Sequence, residues 1–393
     1  MPVSSSSPLA RRIRLGVIGG GGDALIGPVH RIAARLDDRF EISAGVLSSD
    51  PVRSVADAIK LNIPRGYPDV PTMMAEEARR PDGIDAVSIM TPNDSHHDYA
   101  VMALEAGFDV ICDKPITNDL RTALDLVERA RARRLVFCLT HNYSGYPMVR
   151  EARSAIAAGE IGPLRVLQVS YVQGSLGSRV EDHPDEMPSR LKWRLDPSKG
   201  GSSHVMGDIG THAHQLLTFV AGQQVEAVLA DLGAALPNRQ AHDTASVIFR
   251  LEGGARGVMF ATKAATGAEN AMALEAYGEA GGVAWQHSSA NELRVMRANR
   301  PAELRTRGLP TLYPHSQRAV RLPAGHPEAF LEAFANVYAD FADLVSARRS
   351  GVPPDPLALL GPDAATGARG LAFIDACLES TERQTWVKVR DIP

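Results

Sequence analysis

The chain has 393 residues, 44% hydrophobic and 22% charged, with a formal net charge of −4. That length implies two domains of ordinary size, and the slightly acidic balance gives no case for a nucleic-acid partner. No apolar run approaches the roughly 18 residues of a membrane span, and the cysteines at 112, 138 and 377 are too few for a disulfide framework, so no membrane partner and a reducing, cytoplasmic setting are expected.

Met1 to Pro8 is rich in Ser and Pro and has no apolar segment, so residues 1–11 read as a frayed tail and not a signal peptide. Arg12 to Gly19 is a β-rich run ending in glycines. A helix is expected from about Gly27 to Asp37 and a strand from Phe40 to Leu47. This βαβ order implies a parallel sheet. The intervening turn runs from Gly19 through Gly20, Gly21, Gly22, Asp23, Ala24, Leu25 and Ile26 to Gly27. Glycines there let backbone approach a pyrophosphate, while the helix N-terminus offers N–H donors and a positive dipole. Gly19 and Gly21 fit the first two positions of a dinucleotide fingerprint and Gly27 the third, with about three extra residues between them. Gly19, Gly21, Gly22, Ala24, Leu25 and Ile26 are therefore cofactor-binding candidates; a merely flexible loop is the plainer alternative.

NAD enzymes usually carry an acid at the end of the second strand, to accept from the ribose hydroxyls. Leu47 and Ser48 stand there instead. Ser48, Ser49 and Arg53 could hold a 2′-phosphate, with Arg53 as a charge-assisted donor. The alternative is a solvated helix start capped by Asp50. The balance leans slightly to NADP, with NAD open.

Ile84 to Met90 is the next strand, followed by Thr91-Pro92-Asn93 and, three residues on, His96. A helix from Tyr99 to Ala106 leads through Gly107 to a strand at Asp109 to Cys112, which ends in Asp113-Lys114-Pro115. The proline biases Lys114 to extended backbone at the carboxyl end of its strand, where open α/β sheets bind ligands. Lys114 can then reach substrate and nicotinamide together; a surface lysine is the plainer reading. His141 and Asn142 close the last strand of this domain and also face the expected crevice.

In the second half, Asp208 and His212 are spaced i, i+4. If Gly207 to Val220 is helical they lie about 40° apart on one face, with Gln215 and Phe219 continuing it. His214 points about 120° away. A carboxylate near an imidazole supports its charged form and fixes its tautomer. A capping Asp beside an incidental His is the structural alternative, and a metal pair a further one. No third ligand has convincing spacing, so no metal is expected. Val166 to Val172, Val225 to Leu232, Thr244 to Leu251, Gly257 to Thr262, Ala271 to Tyr277 and Gly282 to Gln286 read as strands of an antiparallel sheet, with Glu252 to Ala255 as a hairpin loop. Ala329 to Ser346 has helical apolar periodicity and is assigned to core or interface. Tyr143, Lys192, Arg194 and His326 are further polar candidates for holding a polyol.

These parts occur in a telling combination. A glycine-rich turn closes with Gly27-Pro28-Val29-His30, then come Thr91-Pro92-Asn93 with His96, and Ala106-Gly107 before Asp113-Lys114-Pro115. Later Lys192-Trp193-Arg194 precedes a Gly200-Gly201-Ser202 turn and Asp208-Ile209-Gly210-Thr211-His212. The chain thereby resembles, over nearly its whole length, the Gfo/Idh/MocA family of glucose–fructose oxidoreductase-like and inositol dehydrogenase-like proteins. Asp113 departs from the family's usual Glu-Lys-Pro, and the longer glycine loop points to a subgroup.

The resemblance implies an N-terminal Rossmann domain over residues 12–142 that binds NAD(H) or NADP(H). It implies a C-terminal α+β domain over 143–393, built on a large, mostly antiparallel sheet that often serves as a homodimer or homotetramer interface. It makes Lys114, Asp208 and His212 the catalytic candidates. Thr91, Pro92, Asn93, His96, Asp113, Lys114, Trp193 and Arg194 join the cofactor-binding set. Lys114, His141, Tyr143, Lys192, Asp208, His212 and His326 form the substrate-binding set. The expected reaction is hydride transfer between nicotinamide and a hydroxyl carbon of a sugar or cyclitol, with His212 or Lys114 as the proton acceptor. Two alternatives use the same fold: a glycosidase or epimerase-like enzyme that retains NAD for transient oxidation, and a regulator that senses cofactor or sugar without turnover.

Overall fold

The computed structural model describes residues 11–22, 24–183, 185, 187, 191–192, 195–196, 201 and 203–392. Two compact units emerge. Among the described residues, one contains 11–145 together with Phe330–Ala368; the other contains Tyr146–Ala329 and the residues from Arg369 onward.

The first unit is built on a six-stranded sheet of order β3-β2-β1-β4-β5-β6. Its strands are β1 (Ile13–Gly19), β2 (Phe40–Val46), β3 (Arg65–Gly66), β4 (Ala86–Met90), β5 (Asp109–Cys112) and β6 (Phe137–Leu139), and every pairing is parallel. This is the doubly wound Rossmann order, and its direction reverses at β1 and β4, where such sheets bind dinucleotides. Helices α1 (Ile26–Leu36), α2 (Pro51–Lys60), α3 (Val70–Glu77), α4 (His96–Glu105) and α5 (Leu120–Arg133) supply the crossovers. Their starts follow local chemistry. Asp50, Asp69 and Asp119 cap α2, α3 and α5, each accepting from the backbone N–H three residues on. Helix α1 differs: Leu25 at its N-cap has helical backbone angles and makes no side-chain cap bond.

The division expected at residue 143 needs one correction. The helix Phe330–Ser350, whose apolar periodicity is plain in the sequence, packs into the core of the first unit. Phe334, Val337, Tyr338, Phe341 and Val345 lie there with Ile13, Leu15, Val17, Phe40 and Ile111. The Tyr338 hydroxyl is 2.8 Å from Ser88 Oγ on β4 and 2.7 Å from His30 Nδ1 on α1. Burial lowers the His30 pKa to about 4, so its imidazole is neutral in this network. The reason is topological: periodicity shows that a helix has an apolar face, and only the tertiary pairing shows which sheet that face covers.

The second unit centres on a nine-stranded sheet of order β14-β13-β12-β11-β7-β10-β9-β8-β15. Strands β7 (Leu164–Val172), β8 (Val225–Gly233), β9 (Thr244–Leu251), β10 (Arg256–Thr262), β11 (Ala271–Gly278) and β12 (Gly281–Gln286) lie where the alternation places them. Strands β13 (Glu292–Arg297), β14 (Glu303–Thr306) and β15 (Val387–Lys388) extend the edges. The β7–β10 pair is parallel and the other pairings are antiparallel. The β9–β10 hairpin closes through Gly254, whose φ of 86° suits glycine. Side chains alternate strictly: Val247, Phe249 and Leu251 are buried, while Ile248, Val258 and Phe260 are exposed on the opposite face. Helices α6 (Pro147–Ala157) and α7 (Thr211–Ala221) belong to this unit. No helix among the described residues is long and apolar enough to cross a membrane.

Candidate active site

The glycine turn lies at the point where the sheet order reverses. A Cβ on Gly19 would stand 2.7 Å from Thr91 Cγ2, so the loops after β1 and β4 touch. Gly19, Gly20 and Gly22 have φ of 84°, 73° and 50°, where side chains are strained. Gly27 meets Gly20 backbone to backbone: its Cβ would lie 2.1 Å from the Gly20 carbonyl oxygen. A Cβ on Gly21 would lie 2.4 Å from the Leu47 carbonyl oxygen. Three approaches therefore depend on missing side chains. Buried Arg31 donates to the Gly20 carbonyl at 2.5 Å and holds the turn from below. The opening N–H groups of α1 have no side-chain cap, although capping Asp residues begin three other helices of the unit. An uncapped helix start beside a compressed glycine turn fits a nucleotide pyrophosphate, which would accept those donors. Leu25 is 71% exposed beside this turn, and Ala24 donates its N–H to the Gly21 carbonyl at 3.1 Å.

At the end of β2, Leu47 is buried and its N–H donates to Ser54 Oγ at 2.9 Å. Ser48 Oγ accepts from Asp50 N–H at 3.1 Å, a local turn bond. Ser49 is exposed. Arg53 leans toward the glycine turn, since a Cβ on Gly22 would meet its Nη2 at 2.2 Å, and its Nε lies 3.6 Å from Asp57 Oδ2.

The Thr91-Pro92-Asn93 segment enters a single 3₁₀ turn, Asn93–Ser95. His96 is fully buried behind it. One ring nitrogen lies 2.9 Å from the Thr91 carbonyl oxygen and the other 2.9 Å from that of Pro115. His96 thus acts as a brace tying the loop after β4 to the loop after β5. Lys114 follows β5 and is joined to Pro115 by a cis peptide bond. Asp113 Oδ1 accepts from the Lys114 N–H at 2.8 Å and from Thr140 Oγ1 at 2.8 Å. Burial works to raise the Asp113 pKa, but its electrostatic interactions with nearby His30 and Lys114 and the Thr140 bond hold it below the usual carboxylate range. Asp113 is therefore an anion that fixes the turn carrying Lys114. His141, Asn142 and Tyr143 continue from β6 and are all buried, with Ser144 Oγ donating to the His141 carbonyl at 2.8 Å.

In the second unit the segment expected to be one regular α-helix begins differently. Met206–Gly210 forms a π-helical turn, and α7 starts at Thr211. A π turn holds about 4.4 residues, so Asp208 and His212 stay roughly one turn apart, stacked along the same side; such turns often accompany functional sites. His212 is 8% exposed, and its ring centroid lies 6.2 Å from that of Tyr171 on β7. His214 is turned elsewhere: it stacks on Phe373 at 4.4 Å, and burial lowers its pKa to about 3. Asp208 Oδ2 forms an ion pair with Lys263 Nζ, and Lys263 is 4% exposed at the end of β10.

Lys192 is exposed and helical. His326 is an exposed residue of the second unit whose carbonyl accepts from Arg307. Trp193 and Arg194 lie outside the described residues, as do Gly200 and Ser202 of the turn before Asp208. Sequence reasoning missed Lys263, Tyr171 and Arg31. A lysine within the small-residue run Ala261-Thr262-Lys263-Ala264-Ala265, at the end of an alternating strand, was the available signal for the first.

Residues 13–141 match the family model described as oxidoreductase family, NAD-binding Rossmann fold, and residues 149–284 match that of the GFO/IDH/MocA C-terminal domain. An uncharacterized oxidoreductase, YfiI, of Bacillus subtilis is 30% identical over 99% of this chain and 100% of its own length. Levoglucosan dehydrogenase of Pseudarthrobacter phenanthrenivorans is 26% identical over 97% of this chain and 99% of its own. Among solved structures, an inositol dehydrogenase homolog of Azotobacter vinelandii complexed with NAD+ is similar with a TM-score of 0.90 and 33% identity, covering 97% of this chain and 98% of that one. The same homolog complexed with NADH and myo-inositol has a TM-score of 0.87 and 32% identity, covering 98% of this chain and 99% of that one.

Proposed function

As the chain belongs to the Gfo/Idh/MocA family of NAD-binding oxidoreductases, we propose that it transfers hydride between NAD and a hydroxyl carbon of a sugar or cyclitol, with Lys114, Asp208 and His212 as its catalytic residues. The observation that carries this reading is the pairing of a buried imidazole with a carboxylate one turn before it, on a π-helical turn, in a chain whose other unit holds the nucleotide turn.

The cofactor supplies the hydride acceptor. The chain supplies position and proton handling. His212 takes the hydroxyl proton as general base, and returns it as general acid in the reductive direction. Lys114 donates a hydrogen bond to the same oxygen and stabilises the alkoxide that develops there. Asp208 orients His212 and accepts from a neighbouring substrate hydroxyl, so that a compound lacking that hydroxyl leaves a buried acceptor unpaired. The half-buried, hydrogen-bonded Asp113 keeps the Lys114 turn in place.

At the adenosine end the reading now favours NAD over NADP. The relatives with solved complexes carry NAD+ and NADH. Asp57 shares the charge of Arg53, which leaves a poorer site for a doubly charged 2′-phosphate. Arg53→Ala should change the KM for NAD less than about threefold; a selective loss of NADP turnover larger than tenfold would restore the NADP reading. We also propose that copies of the chain associate through the open face of the nine-stranded sheet, as a homodimer or homotetramer. Val166, Ile248, Val258 and Phe260 form an apolar strip there, each more than 40% exposed.

The myo-inositol and levoglucosan chemistry of the relatives sets the first compounds to try. Purified protein is incubated with NAD+ or NADP+ and a panel of inositols, anhydrosugars, free sugars and glycosides, and the reduced-nicotinamide absorbance is followed. Net reduction with at least one polyol supports the proposal. Absence of net reduction across the panel, with tightly held NAD released on denaturation, would point to transient oxidation instead.

A further inference from the structure

Lys263 touches the proposed catalytic carboxylate but lies outside every motif of the sequence. Its backbone is held on both sides. The Lys263 N–H donates to the Asp243 carbonyl at 2.8 Å, and its own carbonyl accepts from Leu176 N–H at 2.8 Å. Asp243 is fixed in turn by the buried Arg239, which donates to its Oδ2 at 2.8 Å, to the Leu176 carbonyl at 2.7 Å, and to both carboxylate oxygens of Glu181. The lysine stem therefore leaves the end of β10 from a rigid point. The ammonium reaches Asp208 Oδ2 with both side chains largely removed from water: 5% of the Lys263 side chain and 17% of the Asp208 side chain are exposed.

Stability alone is a poor reason to keep such a pair. Desolvating two charges costs several kcal/mol each, and a well-packed apolar pair of similar volume is often as stable or more so. A functional reason fits better. Asp208 sits one turn from His212, and an unbalanced carboxylate favours a charged imidazole over the neutral form that accepts a proton. A fixed cation on Oδ2 offsets that charge and sets the rotation of the carboxylate.

We infer that Lys263 is a positioning residue that acts through Asp208, orienting and charge-balancing its carboxylate for the reaction at His212. The inference rests on the proposed role of Asp208. The test is a double-mutant cycle on the best polyol of the panel, with Lys263→Met, Lys263→Arg, Asp208→Asn and the Lys263→Met/Asp208→Asn double variant. NADH affinity by fluorescence and thermal melting are recorded for each. Lys263→Met should lower kcat by roughly 10- to 100-fold, the scale expected when a catalytic group is misplaced by about 1 Å, with NADH affinity within about threefold of wild type. Lys263→Arg should recover most of that loss. The double variant should be no slower than Asp208→Asn alone, and should melt at or above the temperature of Lys263→Met because no unpaired charge remains. A Lys263→Met kcat within threefold of wild type overturns the inference, as do losses that multiply in the double variant. If Lys263→Met does not fold, the same cycle is run with Lys263→Gln. Wild-type kcat in Asp208→Asn would remove the proposed role of Asp208 itself and the inference with it, a result read from that single variant alone.

Discussion

Gly27→Ala should weaken both nucleotide binding and the first unit, against the local preference of a helix. Ala in place of Gly within a helix ordinarily stabilises by about 0.5–1 kcal/mol. Here the added Cβ would lie 2.1 Å from the Gly20 carbonyl oxygen and 2.6 Å from Gly20 Cα. Restoring an ordinary contact of 3.4 Å requires a shift of about 1.3 Å between two stretches of backbone. Neither is a flexible side-chain end that could turn aside. Overpacking of this kind costs roughly 1–3 kcal/mol, enough to cancel the propensity gain. The same displacement pulls the uncapped start of α1 away from the glycine turn, and about 1 Å of misplacement can cost on the order of a hundredfold. NADH fluorescence titration should give a Kd raised roughly 10- to 100-fold, equivalent to about 1.4–2.8 kcal/mol, with a Tm lowered by a few degrees. A variant that binds NADH within twofold of wild type and melts higher would show that helix propensity outweighs the contact. The account of the turn would then be wrong.

Three further outcomes follow from the geometry. Tyr338→Phe removes the hydroxyl shared by Ser88 and His30 and leaves them only their longer contact of 3.3 Å; losing a buried hydrogen bond costs roughly 0.5–1.5 kcal/mol, so the Tm should fall by a few degrees, and an unchanged Tm contradicts the network. Stability should decline as pH falls below 6.5, because burial lowers the pKa of His30 to about 4 and of His214 to about 3, so the unfolded chain takes up protons that the folded chain refuses. Each histidine then contributes a loss approaching ~1.4 kcal/mol per pH unit between its unfolded and folded values, and a Tm that stays flat from pH 7 to pH 5 would refute it. Glu160, held down to about 2 by its bond to Arg305, adds a further loss below pH 4.5. Finally, Val258→Lys with Phe260→Asp places charges on the open face of the sheet, and light scattering should report a smaller assembly than wild type; an unchanged mass would place the contact elsewhere.

Much of the architecture is legible in the sequence because it depends on local signals. Strand β5 falls on Asp109–Cys112 as its apolar run predicts, and β9 on Thr244–Leu251 as its alternation predicts. The glycine turn is legible as well, although Gly20, which the fingerprint leaves unassigned, makes the tightest contact with Gly27. The sequence is silent where residues far apart in the chain meet. Nothing in the periodicity of Phe330–Ser350 shows that Tyr338 reaches His30, 308 residues earlier. Lys263 and Asp208 are 55 residues apart and belong to different elements, so their pairing has no spacing to detect. The π turn at Met206–Gly210 is hidden for another reason: it differs from an α-helical turn by a single residue of register, below what an apolar pattern resolves. Side-chain partners of single polar residues are equally silent. No spacing shows that His96 braces two backbone carbonyls or that His326 is exposed.

The central claim is that His212 handles the proton while the other unit holds the cofactor. Its most direct test is His212→Ala, with kcat measured on the best polyol of the panel and the NADH Kd measured on the same preparation. The account predicts a kcat lowered by roughly 10²- to 10⁴-fold with the NADH Kd within about twofold of wild type. A kcat within a few-fold of wild type, or a loss of NADH binding that matches the loss of rate, would contradict it.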